Sequence, residues 1–160
     1  MDQFNQHGLR ISRKNGLFLA SFLIAYFLIM RVLGLGHEYY LRLFNGLILI
    51  LMMRQGIIAY RRFLEEEKYG SSFDFFRLNL RTAFIGIAVF TVFLAIYLDI
   101  IDPAFMAELK EQENANPFLS PVSAAGIVFI EGLGSAFVLS YLVVQAMKKR
   151  TIELQKQSAK

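Results

Sequence analysis

The chain contains no cysteine, two histidines and three prolines, and only 19% of its 160 residues are charged. Without cysteine there is no disulfide framework, no thiolate metal site and no cysteine nucleophile. The histidines, His7 and His37, lie outside the long apolar segments and offer no acid–base machinery. His37 beside Glu38 is half of a metal site with no second ligand pair in view, so a solvated turn is the better reading. Walker-type glycine loops, G-x-G-x-x-G and H-E-x-x-H are all missing. Asp102, Glu108, Glu111 and Glu113 do not have the Asp/Asn/Gly spacing of a calcium loop. These absences predict a chain that is not an enzyme and carries no cofactor.

Apolar sequence is abundant. Hydrophobic residues make up 56% of the chain, against about 45–50% in an average soluble domain. They fall in four long blocks with the charges collected between them. A hydrocarbon core of about 30 Å needs about 20 apolar residues in a helix. The predicted spans are about 17–35, 40–60, 82–101 and 121–147. Continuous runs, rather than alternating segments of about ten residues, predict helices and not a barrel. The expectation is one all-α domain over 1–160, a four-helix transmembrane bundle. Arg10, Arg13 and Lys14 form a basic leader before the first span, but "RVLGLGHEYY" offers no A-x-A-like cleavage site. The first span is therefore read as a retained anchor.

Charge sets the expected orientation. The segment before span one, the connection between spans two and three and the tail together hold 13 of the 17 basic residues. With four spans these regions share one side, and the positive-inside rule makes that side the cytoplasm. A net charge of +4 distributed in this way points to the lipid bilayer as partner, not to nucleic acid. "MKKR" after span four reads as a topology anchor that also suits anionic lipid.

The connections carry smaller signals. Tyr39 and Tyr40 fit an interfacial aromatic belt. In "YGSSFDFFRLNLR", Ser71 and Asp74 have capping-box spacing, and Phe73, Phe76 and Leu80 recur at helical spacing. This predicts either an interfacial amphipathic turn or an N-terminal extension of span three. "LEEEK" reads as a solvated face. A short surface helix is expected over Ala104–Gln112, bracketed by Pro103 and by Pro117 and Pro121.

Arg31, Asn45, Arg54, Gln55, Asp99 and Glu131 interrupt the apolar runs. Arg54 can snorkel to the cytoplasmic boundary, and Asp99 lies within a turn of the other boundary. Glu131 is about 15 Å along the helix from Pro121. A central charge costs roughly 2.5–3.5 kcal/mol to insert, so this carboxylate needs a proton or a partner. Arg31 and Asn45 are each about 7–8 Å below the outer surface by the same rise. Similar depths predict a Glu131–Arg31–Asn45 polar cluster inside the bundle, either a clamp on helix register or a proton or ion relay. Gly132, Ala136 and Ser140, spaced by four, make a small-residue packing face. Ser21 with Ala25 and Thr82 with Gly86 repeat the spacing.

Three stretches carry a resemblance to a known family. "GIIAYRRFLEEEKYGSSFDFFRLNLRTAF", "IIDPAFMAEL" and "NPFLSPVSAAGIVFIEGLGSAFVLSYLVVQAMKKR" occur in the order found in the bacterial "domain of unknown function 4199" family of small multi-span membrane proteins. The connection between Asp102 and Pro121 is shorter than that family's. The resemblance implies four helices in a bacterial inner membrane and no catalytic residues, since the family has no established activity. The expected function is association, with itself as a homo-oligomer or with other membrane proteins. The rival is a small proton- or ion-coupled transporter or channel that uses Glu131.

Overall fold

The computed structural model of the chain describes residues 2–35, 42–64, 72–112 and 119–158. All of its regular structure is helical. Helix α1 spans Asp2–Val32, α2 Arg42–Leu64, α3 Ser72–Ile96, α4 Pro103–Gln112 and α5 Pro121–Ser158. A π-helical segment, Tyr97–Ile101, continues α3. Four helices are long and apolar enough to cross a membrane, covering Gln6–Val32, Leu43–Arg62, Ser72–Ile101 and Pro121–Lys148.

The helix ends follow from local sequence. Gly34, at φ 72°, closes α1. The Leu35 N–H donates to the Met30 carbonyl at 2.9 Å and the Gly34 N–H to that of Arg31 at 3.1 Å. This is a Schellman ending, which needs a left-handed residue and so favours glycine. Ser120 caps α5 ahead of Pro121. The Ser123 N–H donates to Ser120 Oγ at 3.1 Å, and the Ser120 N–H to Ser123 Oγ at 2.7 Å. The proline occupies the first helical position, where its missing N–H is harmless.

Three of the helices are longer than the apolar runs. Helix α1 begins at Asp2 rather than near Leu17, α3 at Ser72 rather than Thr82, and α5 continues to Ser158. For α1 the reason is packing. Gly8, Ser12 and Asn15 are buried although the segment is polar. The Ser12 hydroxyl donates to the Leu78 carbonyl at 3.3 Å, which draws the first turns of α1 against the first turns of α3. Leu78 and Asn79 are buried there, so Phe73–Leu80 is part of a continuous α3. Ser71, His37–Tyr40, Lys68, Glu113 and Pro117 lie outside the described residues, as does all but Leu64 of "LEEEK".

The tightest seam is between α1 and α3. A Cβ on Gly86 would sit 2.5 Å from Leu19 Cδ2 and 2.9 Å from the Gly16 carbonyl oxygen. A Cβ on Gly16 would sit 2.8 Å from Ile85 Cβ. Ser12, Gly16 and Ala20 therefore form the small face of α1, all buried. Ser21 and Ala25, the pair expected from spacing, are exposed. Ser21 instead donates its hydroxyl to the Leu17 carbonyl of its own helix at 3.0 Å. Each apolar span presents small residues on several faces, and only the partner's shape selects one. Helix α5 packs on the other side of α3. Ala136 and Ser140 are fully buried, and a Cβ on Gly132 would meet Ile87 Cγ2 at 3.1 Å.

The periphery is apolar. Phe18, Phe22, Ile29, Val92, Ile130, Phe137 and Leu142 are exposed. Only 22% of the fourth span's most apolar window is buried within the protein. A surface of this kind needs lipid for its solvent.

Candidate functional site

A cavity of about 990 Å3 lies among α1, α2, α3 and α5. Its walls are largely aliphatic and aromatic, with Leu23, Phe27 and Phe90 among them. Among the described residues, the polar groups that reach it are Tyr26, Asn45, Glu131 and Ser135, and no lysine, arginine or histidine contributes to the wall. Glu131 stands on α5 between Ile130, which faces outward, and Gly132, which packs on Ile87. Gly132 and Gly134 both line the cavity. Nothing lies within 4 Å of a Cβ built on Gly134, so the chamber stays open on the α5 side.

The cavity brings Asn45 and Glu131 to one chamber. Arg31 belongs elsewhere, which divides the expected three-residue cluster. Its Nε donates to Asp102 Oδ2 at 2.8 Å and its Nη1 to Glu108 Oε2 at 3.2 Å. Its guanidinium lies 4.3 Å from the ring centre of Phe105. The separation is one of depth. Gly132 packs on Ile87, whereas Arg31 reaches Asp102, to which the Tyr97 hydroxyl is also directed at 3.4 Å. Ile87 and Tyr97 are ten residues apart on α3, about 15 Å of helix. Depth estimated from span ends missed this because the helices overrun the spans by unequal lengths.

The Arg31 cluster holds the short helix α4 against the end of the bundle. The π-helical segment closes with the Asp102 N–H donating to the Tyr97 carbonyl at 2.8 Å. Asp102 then caps α4, its Oδ1 accepting from the Phe105 N–H at 3.0 Å. One carboxylate thus serves as helix cap and ion-pair partner, followed by Pro103 at the first helical position. The bond from Arg31 holds the Asp102 carboxyl below the ordinary carboxylate range; partial burial opposes it and the Phe105 N–H assists. Asp102 and Glu108, which lack the spacing of a calcium loop, are therefore structural. The signal available in the sequence was Asp-Pro-x-Phe, an N-cap and first turn.

Between this cluster and the cavity lies an aromatic group centred on Phe27. Its ring is 5.1 Å from Tyr97, nearly perpendicular, and 6.3 Å from each of Phe90, Phe93 and Phe105. The edge-on contacts with Tyr97, Phe90 and Phe93 add roughly 0.5–1.5 kcal/mol each beyond burial. Asp99, Arg54 and Gln55 are exposed. At the other end of the bundle, Asn15 and Asn79 are buried with amide atoms that find no hydrogen-bond partner among the described residues. Among the described residues there is no group of three or more potential metal ligands of the His, Cys, Asp or Glu type.

Fold and surface together define a multi-pass membrane protein. Comparison with family models, curated proteins and solved structures gives no significant match.

Proposed function

We propose that this chain is a non-enzymatic protein of a bacterial inner membrane, with both ends in the cytoplasm, that works as a small proton- or ion-coupled transporter using Glu131. The observation that carries the reading is the Glu131 carboxylate on the wall of a large, mostly apolar cavity between helices long and apolar enough to span a membrane. Glu131 is an exposed residue of α5 that also lines this cavity. The basic segments at the ends of α1, α2 and α5 support the orientation. The resemblance to the "domain of unknown function 4199" family supports the location and brings no activity with it.

Association with itself or with other membrane proteins rested on small-residue faces. Gly132, Ala136 and Ser140 lie against α3 within this same chain, so they no longer speak for an external partner.

The test combines two readings on protein in liposomes. Infrared titration should show a carboxyl band in the wild type that Glu131→Gln removes. An imposed membrane potential should drive a proton flux that this variant abolishes while its thermal stability stays near the wild type. A flux unchanged by Glu131→Gln would end the proposal. Orientation is tested by single cysteines, which the cysteine-free chain makes unambiguous. Of Asn5→Cys, Ser72→Cys, Asn114→Cys and Ser158→Cys, only Asn114→Cys should react with an impermeant reagent in spheroplasts.

A further inference from the structure

We infer that α2 is the moving part of the bundle, and that its Gly56 end swings off α1 and α3 to let water reach the buried amides of Asn15 and Asn79. The inference concerns motion and stands without the transport reading above, to which it adds the helix that opens.

The first observation is a set of orphaned groups. Asn15 Nδ2 and both amide atoms of Asn79 are buried and find no hydrogen-bond partner among the described residues. On α1, α2 and α3 the described residues continue well past Asn15, Gly56 and Asn79 toward that end of the bundle. Turning the Asn79 amide over changes nothing, because both of its ends are orphaned. A buried amide without a partner bears its full desolvation penalty, so the closed packing is disfavoured against any arrangement that admits water. A water held permanently at the amides is the alternative explanation. It needs room beside them, and Asn79 is 0% and Asn15 only 7% exposed.

The second observation identifies the cover. A Cβ on Gly56 would sit 3.1 Å from Asn15 Nδ2 and 3.8 Å from Leu78 Cδ2, and Leu78 directly precedes Asn79. Withdrawal of Gly56 therefore uncovers Asn15 and the turn of α3 that carries Asn79.

The third observation is what else could move. Helices α1 and α3 are locked together by the close approach of Gly16 and Gly86 and by the bond from the Ser12 hydroxyl to the Leu78 carbonyl. Helix α2 is held by a single buried stripe, Leu49, Met53, Ile57 and Tyr60. At its other end it already stands off α5, where a Cβ on Gly46 would touch only Leu139, at 3.8 Å. A rigid tilt that draws Gly56 outward carries Gly46 into the cavity, so one motion opens one end of α2 and closes the other.

The experiment measures distances between spin labels on the full chain in phosphatidylcholine nanodiscs by double electron–electron resonance. One pair is Lys14→Cys with Gln55→Cys, exposed neighbours of Asn15 and Gly56 on α1 and α2. The reference pair is Lys14→Cys with Arg77→Cys, both exposed, on α1 and α3. The α1–α2 pair should show a short and a long population, and the reference pair one distance. Asn15→Leu and Asn79→Leu, each tested separately, should cut the long population about tenfold. Asn79→Asp should enlarge it, because a buried carboxylate gains more from water than an amide does. One narrow distance for the α1–α2 pair, equal spreading of the reference pair, or a long population unchanged in the leucine variants would overturn the inference. The wild-type distances decide the motion even where a variant fails to fold. Two α1–α2 distances without a Glu131-dependent flux would end the transport reading and leave this inference standing. A Glu131-dependent flux with a single α1–α2 distance would do the reverse.

Discussion

The two sides of α3 and the opposite wall of the bundle show how differently the same kinds of residue behave. Where α1 crosses α3, Gly16 and Gly86 let the backbones approach until any added methyl would collide with Leu19, Ile85 or a carbonyl oxygen. Where α2 faces α5, the glycines do the opposite. A Cβ on Gly46 would touch only Leu139, at 3.8 Å, and one on Gly134 would touch nothing within 4 Å. Glycine in the first setting closes a seam, and in the second it leaves a chamber open. Small residues at spacing four permit close approach in lipid, but they do not compel it. The α1–α3–α5 packing supplies the rigid part of the molecule, and the cavity lies where α2 and α5 leave space.

The sharpest way to break this contrast is to fill both kinds of glycine. Gly86→Val should destabilise at the upper end of the roughly 1–3 kcal/mol that overpacking costs, because Leu19 is fully buried and cannot move aside. Gly134→Ala, with nothing within 4 Å of its Cβ, should be neutral or stabilise by up to about 1 kcal/mol through helix propensity. Reversible unfolding in mixed micelles compares the two. Equal losses would mean that the α1–α3 seam is looser than it looks.

A second contrast lies within α5. Ala136 is fully buried, whereas Val138 is 57% exposed two residues on. Ala136→Leu should cost about 1–3 kcal/mol by pushing α5 off α3. Val138→Leu should stay within about 0.5 kcal/mol, as surface changes do. If Val138→Leu proved the more damaging, the packed face of α5 would have to be reassigned.

The smallest effect concerns the polar cluster that ties α4 to the bundle. Asp102→Ala removes a helix cap and an ion-pair partner, for a loss of about 1 kcal/mol. Hydrogen exchange should show it in α4 and not in α1 or α5. Acid should mimic it in the wild type. The folded-state value of Asp102 is lowered, so its contribution is complete above the ordinary carboxylate range. It is lost as pH falls through the lowered value. Protection of α4 that survives acid unchanged would show that Phe105 and Met106, both buried, hold the helix without the ion pair.

The sequence by itself determined the class of this protein. Four apolar runs of spanning length admit only helices in lipid, since every backbone N–H and C=O must be satisfied within the segment. The short α4 was likewise legible, from its Asp-Pro start, to within a residue at its beginning. So was the small face of α5, because residues four apart on a helix share a face whatever surrounds them. Partnerships between helices were not legible. Arg31 and Glu131 looked like neighbours because depth was counted from span ends, while the register of α1 against α3 is set by Ser12, Gly16 and Gly86. That register places Arg31 at Asp102. Ser21 and Ala25 had the right spacing and the wrong face. The cavity was invisible for the same reason. An empty volume belongs to no residue, and it exists here because α1, α3 and α5 pack tightly enough to leave α2 standing off a wall that carries Glu131.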